Sequence, residues 1–237
     1  MALLYLPALS PFSEDITLFS DASNSGWGAW SSTLSTYGKW SPDERKLHIN
    51  IRELKSVLYA FLSLFRSTFS CSILIRSDNS TVVSYINKQG GTSCSILCGL
   101  ALELWQFCVK RNINISSLHI AGKLNVRADK LSRLEVSDHD YFLSSSMFSS
   151  LSEAISFPLK VDLFADRLNY KIPNYISWHN DPYSSLVNAF SFKWIENVYL
   201  FPPIPLIDRV LNKFENDEVT NGLIICPYWP SKPWYSK

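Results

Sequence analysis

The chain has 237 residues, of which 46% are hydrophobic and 18% charged, a composition that excludes a disordered protein and allows one large domain or two small ones. No apolar run reaches the roughly 18 residues of a membrane span, so we expect no membrane segment. The formal charge of +1 hides an asymmetry: residues 1–134 carry 14 Lys/Arg and 9 Asp/Glu, whereas residues 135–237 carry 8 and 12. The basic first half suits a polyanionic partner.

Short strands dominate the start of the first domain. Apolar runs separated by turn residues predict three strands, at about 15–21, 26–33 and 36–41, which form an antiparallel meander. Asp21 stands at the end of the first strand. Ser41-Pro42-Asp43-Glu44 predicts a helix start or an irregular turn. Apolar residues at helical spacing then predict a helix over 49–65, with Glu53 in its first turns.

Helices and strands alternate in the rest of this domain. Asp78 ends a short apolar strand at 72–77, and Asn79 can cap the helix that follows. The remaining predicted elements are a helix over 80–88, a longer helix to about Arg111, a strand over 113–120, a loop over 121–125 and a short helix over 126–134. The order βββαβααβα predicts an α/β fold, a mixed five-stranded sheet flanked by helices, over residues 15–134.

Four acids share a position relative to these elements. Asp21, Glu53, Asp78 and Asp129 each lie near the end of a strand or the start of a helix. Such ends meet at one edge of the sheet, so we expect the four carboxylates to converge. Clustered carboxylates repel one another unless divalent cations neutralise them, and Mg²⁺ prefers oxygen ligands. The alternative is that they are four separate surface acids.

The sequence around these acids carries a family resemblance. The motifs are Phe19-Ser-Asp-Ala-Ser-x-x-Gly-Trp-Gly28, His48-Ile-Asn-x-x-Glu-Leu54, Ser77-Asp-Asn79 and Gly122-Lys-x-Asn-x-x-Ala-Asp-x-Leu-Ser-Arg133. In this order they resemble the ribonuclease H domain of retroelement reverse transcriptases. The last motif is similar to the gypsy type, and the His-Ile-Asn segment to the DIRS type. The resemblance implies a ribonuclease H fold and hydrolysis of the RNA strand of RNA–DNA hybrids.

The resemblance also implies roles for individual residues. Asp21, Glu53, Asp78 and Asp129 would be the catalytic residues and would bind two Mg²⁺ ions, for which Mn²⁺ can substitute. Glu53 would lie nearest the scissile phosphate and its attacking water. Candidates for contacts with the hybrid are polar residues beside these acids: Ser23, Asn24, Asn79, Lys123 and Asn125.

The chain departs from some family members in two ways. No histidine occurs in the loop before Asp129; His119 lies upstream on a predicted strand, where a structural role is favoured. His48 is expected to orient the start of the helix that carries Glu53. The basic handle of some cellular members is also missing, because residues 90–104 contain no Lys or Arg. Affinity for the hybrid would then depend on neighbouring domains.

The second half of the chain divides into a linker and a smaller unit. Residues 135–158 are rich in serine and predict a linker. Residues 159–237 predict a C-terminal α/β unit with a strand ending at Asp162 and another within 219–226. Asp162-Leu-Phe-Ala-Asp166 and Phe201-Pro-Pro-Ile204 resemble phage-type DNA adenine methyltransferases, in degenerate form. Phe201 and Ile204 replace that family's polar and aromatic residues. The alternative is an appendage, rich in proline and tryptophan, that packs on the first domain.

The remaining features concern cellular context. Five cysteines without metal-binding spacing indicate a reduced, intracellular protein. No Tyr-x-Asp-Asp polymerase motif occurs, so we expect an upstream reverse transcriptase domain of the same polyprotein as the partner.

Two alternatives to a hybrid-cleaving enzyme stay open. One is a catalytically inactive, connection-type module that binds nucleic acid or protein, and the other is a nuclease of the same superfold that acts on DNA.

Overall fold

The computed structural model describes residues 15–236 except for 33, 92 and 135–142. Contacts between residues divide the chain into two units, residues 1–134 and 135–237. Each unit has its own hydrophobic cluster and is described by itself. Within the described ranges, none of the helices combines the length and the apolar character needed to cross a bilayer.

The first unit is a mixed five-stranded sheet with helices packed on it. Its elements are β1 (Ile16–Ala22), β2 (Gly26–Ser31), β3 (Leu34–Lys39), α1 (Pro42–Arg45), α2 (Ile49–Leu64), β4 (Cys71–Ser77), α3 (Ser80–Asn87), α4 (Ser95–Val109), β5 (Ile113–His119) and α5 (Val126–Ser132). The strand order is β3-β2-β1-β4-β5. The β1–β2 and β2–β3 pairs are antiparallel, and the β1–β4 and β4–β5 pairs are parallel. The predicted fold class is therefore confirmed.

The core of this unit lies between the sheet and helices α2 to α4. Leu54 and Phe61 on α2 are fully buried and pack with Leu18 of β1 and Ile75 of β4. Burial of such side chains contributes about 1.5–3 kcal/mol each, which fixes α2 across the sheet. The helix carrying Glu53 is thus held rigidly over the strands.

Parallel pairing of β1 and β4 sets the position of two of the predicted site residues. Phe19 of β1 pairs with Arg76 of β4. Asp21 lies two residues after Phe19, and Asp78 lies two residues after Arg76, directly beyond the end of β4. Local caps fix the adjoining helices. His48 caps α2 by accepting the backbone N–H of Asn50, and Asn79 caps α3.

The last helix approaches the sheet closely because β2 carries glycine at position 28. A Cβ on Gly28 would lie 2.5 Å from the backbone nitrogen of Ser132, so no larger residue fits without moving α5. The predicted loop over 121–125 contains a 3₁₀ turn at Gly122–Leu124. Asn125, fully buried, donates from Nδ2 to the backbone oxygen of Ser20 at 2.8 Å and ties this turn to β1.

The second unit contains short strands and two helices in its described part. They are α6 (Ser145–Ala154), β6 (Val161–Asp162), β7 (Ile176–Ser177), β8 (Leu186–Val187), β9 (Val198–Leu200), α7 (Ile207–Asn216) and β10 (Gly222–Ile224). Strands β10, β9 and β6 form a parallel sheet in that order, and β7 pairs with β8. Helix α6 lies inside the predicted linker, and residues 135–142 of that linker are outside the described residues.

Candidate metal centre

Three of the four predicted acids lie together in the first unit. Asp21 is the next-to-last residue of β1, Glu53 lies in the second turn of α2, and Asp78 directly follows β4. One carboxylate oxygen of each lies within 4.8 Å of the other two. Asp21 and Glu53 are each 6% exposed, so their negative charges are largely withdrawn from water. The sheet register and the packing of α2 create this cluster, hereafter the carboxylate cluster.

The carboxylate cluster is electrostatically unfavourable by itself. Burial raises the pKa of Glu53 from 4.5 to about 9, and the charges of Asp21 and Asp78 add to the effect. Burial also raises the pKa of Asp21, with further contributions from Asp78 and Asp129, while a hydrogen bond from Ser132 opposes the rise. A divalent cation would favour the ionised forms of both carboxylates and remove this penalty.

The described residues satisfy the Glu53 carboxylate only in part. The backbone amide of Ala22 opposes the rise in the pKa of Glu53 that burial causes. The Oε2 atom of Glu53 is buried and has no hydrogen-bond partner among the described residues. Leaving a buried acceptor unsatisfied costs about 1–3 kcal/mol, more for a charged group. Three convergent carboxylate oxygens match the oxygen ligands that Mg²⁺ and Mn²⁺ prefer.

The fourth acid, Asp129, is placed differently. Its Oδ1 pairs with Nε of Arg133 at 2.7 Å, and the residue is half-exposed. Asp129 does not belong to the group of described acids whose oxygens lie within 4.8 Å of one another. Its charge nevertheless raises the pKa of Asp21. The carboxylates of Asp21, Glu53 and Asp78 are therefore gathered, whereas the nearby Asp129 is paired with Arg133, one helical turn further along.

Two residues that the sequence did not single out support this site. Ser132 donates from Oγ to Oδ2 of Asp21 at 2.6 Å and orients that carboxylate. Arg52, 7% exposed, donates to the backbone oxygen of Ser23 at 2.9 Å and to Oδ1 of Asn24 at 3.0 Å. Both belong to or adjoin the sequence motifs, which is the signal that could have drawn attention to them. Arg52 fixes the β1–β2 turn beside the carboxylate cluster.

The five predicted substrate contacts fall into two groups. Ser23 is buried and donates from Oγ to the backbone oxygen of Ser132 at 2.7 Å, and Asn125 is buried against β1. The side chain of Asn79 caps α3 and donates to Asn50 at 2.9 Å. These three side chains hold local structure. Asn24 and Lys123 are exposed, so they are the members of the set open to solvent.

The two histidines considered in the sequence have structural contacts. His48 caps α2 through Nδ1, as expected from its position. Nε2 of His119 lies 3.0 Å from the backbone oxygen of Asp78. This contact ties the end of β5 to the loop that carries Asp78. The structural roles expected for both residues agree with these contacts.

Comparisons with known proteins give structural likenesses only. No protein-family model matches the chain, and no curated protein matches it. The chain is similar to LC11-RNase H1 in complex with an RNA/DNA hybrid, with 17% identity and a TM-score of 0.42 over 49% of this chain and 92% of that one. It is similar to RNase H1 from Halobacterium salinarum NRC-1, with 19% identity and a TM-score of 0.40 over 49% and 92%.

A third similar structure is the foamy viral protease-reverse transcriptase in complex with an RNA/DNA hybrid. Identity is 13% and the TM-score 0.39, over 55% of this chain and 21% of that one.

Proposed function

We propose that the first unit is a ribonuclease H, a metal-dependent endonuclease that hydrolyses the RNA strand of RNA–DNA hybrids. The observation that carries the proposal is the convergence of Asp21, Glu53 and Asp78, with oxygens within 4.8 Å and one Glu53 oxygen unpartnered. Four motifs in the order of the ribonuclease H domain surround these acids. A module used only for binding has no need for clustered acids of this kind.

Asp21, Glu53 and Asp78 would hold a divalent cation, and Asp129 would contribute to a second one after leaving Arg133. Bound divalent cations supply charge neutralisation and an activated water for in-line phosphodiester hydrolysis. The chain's own residues prepare the site. Ser132 keeps one oxygen of Asp21 occupied. Burial raises the pKa of Glu53 to about 9, and a bound cation would favour its ionised form.

The balance of the reaction is that of a hydrolysis. The oxygen of water bonds to phosphorus, and the bond from phosphorus to the 3′-oxygen breaks. The products are a 3′-hydroxyl and a 5′-phosphate.

The basic net charge of residues 1–134 supports binding of a polyanionic duplex. Exposed Lys123 and Asn24 are the proposed direct contacts.

Cleavage assays separate the candidate functions. Labelled RNA–DNA hybrid, duplex DNA and duplex RNA are incubated with the full chain in Mg²⁺, in Mn²⁺ or in EDTA. We expect cleavage of the RNA strand of the hybrid with either cation and none in EDTA. Asp78→Asn should abolish cleavage while the protein stays folded. The matched control is Asp43→Asn, since the side chain of Asp43 is 92% exposed on α1.

The other outcomes identify the alternatives. Binding of the hybrid without cleavage in any cation would indicate the inactive connection-type module. Cleavage of duplex DNA alone would indicate a DNA-acting nuclease of the same superfold. Cleavage that survives in Asp78→Asn would remove the site assignment.

We further propose that the chain comes from a DIRS- or gypsy-type retroelement, acts inside the cell during reverse transcription, and works with an upstream reverse transcriptase domain. The gypsy-like motif ending at Arg133 and the DIRS-like His48-Ile-Asn50 segment support this setting. Addition of a reverse transcriptase domain from such an element should raise the affinity for the hybrid. Unchanged affinity would count against the partnership.

For the second unit we propose a degenerate relation to adenine methyltransferases. Phe201-Pro-Pro-Ile204 follows β9, and Phe201 has no side-chain acceptor for an amine. We therefore expect no tight binding of S-adenosylmethionine in calorimetry. Tight binding would show that the methyltransferase site is intact.

A further inference from the structure

A cavity of about 630 Å³ lies within the second unit, where its parallel strands end. Its lining includes the residues that follow β6, β9 and β10: Leu163–Asp166, Phe201–Ile204 and Ile225–Pro227. In open parallel sheets, ligands bind outside the carboxyl ends of the strands. The volume falls within the range of about 300–1,000 Å³ found for small-molecule sites. The cavity therefore has the position and size of a ligand site.

Two buried hydroxyl groups on the cavity lining are unpaired among the described residues. Ser177 and Tyr199 are each 1% exposed and line the cavity. Neither Oγ of Ser177 nor Oη of Tyr199 has a hydrogen-bond partner among the residues that the structure describes. Because buried polar groups in folded proteins are nearly always paired, these two indicate a ligand with polar atoms.

The walls of the cavity are aromatic. Phe164, Trp178, Phe201 and Trp229 belong to its lining. Trp178 is 56% exposed, so its ring is accessible to a ligand. Aromatic faces attract both flat rings and organic cations. The body of the ligand is accordingly aromatic or cationic, or both.

The charges around the cavity favour a cation. Asp162, 2% exposed, accepts the backbone N–H groups of Phe164 at 3.4 Å and Lys171 at 3.0 Å. A carboxylate has about four lone-pair sites, so it can accept a further donor. Asp166 adds a second acid, and Lys171 is the single cation among the described residues of the lining. Burial lowers the pKa of His179, so this residue is neutral at neutral pH. The cavity carries a net charge of about −1.

We propose that this cavity binds a small aromatic amine, with the ammonium group on Asp162 and the ring against Phe164 and Trp178. The ligand would also hydrogen-bond the hydroxyls of Ser177 and Tyr199. This site lies in the second unit and is independent of the proposed nuclease, so either proposal can fail without the other.

Three phenyl compounds of similar size and different charge test the proposal. The full chain is titrated with 2-phenylethylamine, 2-phenylethanol and 3-phenylpropionate, and binding is measured by ligand-observed NMR. We expect the amine to saturate the site with a Kd of about 1 mM or tighter, and at least tenfold tighter than the alcohol and the acid. Equal binding of all three would overturn the charge argument. No saturable binding of the amine would overturn the site.

Variants locate the binding within the cavity. Asp162→Asn should weaken amine binding about tenfold. Since Asp162 also holds backbone groups, Trp178→Ala serves as a second variant at an exposed side chain. It should weaken binding about fivefold through loss of the ring contact. The matched control is Tyr228→Ala, because Tyr228 is 77% exposed and is not part of the lining. Unchanged affinity in Trp178→Ala, or equal weakening in Tyr228→Ala, would contradict the proposal.

Discussion

Replacement of Glu53 by glutamine tests the electrostatics of the carboxylate cluster without activity as the readout. The pKa of Glu53 is raised to about 9 in the folded protein from 4.5. Between these values the folded state holds a proton that the unfolded state has lost. The stability linked to this proton is therefore fully present below about pH 4.5 and is lost as pH rises towards about 9.

The magnitude follows from the size of the shift. One pKa unit corresponds to about 1.4 kcal/mol, so the whole range amounts to about 6 kcal/mol as an upper figure. From about pH 6.5 to about pH 8.5 the free energy of unfolding of the metal-free protein should fall by about 2–3 kcal/mol because of Glu53. Glu53→Gln is neutral throughout and has nearly the same shape as glutamate. Its free energy of unfolding should lack this slope.

The assay is urea unfolding in EDTA across this pH range, read by hydrogen-exchange mass spectrometry of peptides from α2. These peptides report on the first unit alone. Glu103→Gln is the matched control, because Glu103 is an exposed acid on α4, and it should keep the wild-type slope. Excess Mg²⁺ should stabilise the wild type by about 2.7 kcal/mol at 100 times Kd and leave Glu53→Gln unchanged. The same pH slope in Glu53→Gln and wild type would refute the reasoning.

Three further substitutions test the surroundings of the site and the second unit. Ser132→Ala removes the hydrogen bond to Asp21, worth about 1.5–3 kcal/mol, so it should slow hybrid cleavage about 10- to 100-fold and move the pH–rate profile to higher pH. Ser132→Thr keeps the hydroxyl and should restore both the rate and the profile. An unchanged pH–rate profile in Ser132→Ala would contradict this role of Ser132. Gly28→Ala should lower the stability of the fold by about 1–3 kcal/mol, because the added methyl group would meet the backbone of α5. The control is Gly99→Ala on α4, where open space surrounds the glycine; it should raise stability by up to about 1 kcal/mol. Equal stabilities of these two variants would argue against the close approach. Tyr199→Phe removes a buried hydroxyl that has no hydrogen-bond partner among the described residues. It should stabilise the second unit by about 1 kcal/mol, as measured by calorimetry. A loss of stability would show that the hydroxyl is hydrogen-bonded.

The sequence predicted much of the first unit because its signals are local. Apolar spacing on α2 and the strand that ends before Asp78 gave elements close to those observed. The parallel pairing of β1 with β4 then brought Asp21 and Asp78 together, as a mixed sheet of this order requires. The element order led us to expect the acids at one edge of the sheet, and the register of β1 with β4 and the packing of α2 bring three of them together.

Tertiary side-chain contacts within the site were not predictable in the same way. The ion pair of Asp129 with Arg133 competes with its approach to the carboxylate cluster, and both residues lie on an exposed helix face. Ser23 and Asn125 carry the polar groups of substrate contacts, yet their hydrogen bonds to backbone oxygens hold turns in place. The amino-acid composition of a turn does not show whether a polar side chain contacts substrate or hydrogen-bonds the backbone.

The second unit gave weaker signals because its elements are short. The strands expected to end at Asp162 and to lie within 219–226 are present as β6 and β10. Strand β9 has only three residues, too few for a periodic pattern, and was not predicted. Helix α6 lies in a serine-rich segment that predicted a linker, but Phe148 packs edge-on against Tyr199 with ring centres 5.0 Å apart. The cavity depends on the parallel order of these strands, which no local pattern in the sequence reveals.

Binding of Mn²⁺ measured by electron paramagnetic resonance tests the gathering of the three carboxylates most directly. The wild-type chain should bind Mn²⁺ saturably, and excess Mg²⁺ should displace it. Asp78→Asn should lose this binding, whereas Asp43→Asn should keep it. Mn²⁺ affinity that is the same in Asp78→Asn as in the wild type would contradict the metal centre built from Asp21, Glu53 and Asp78.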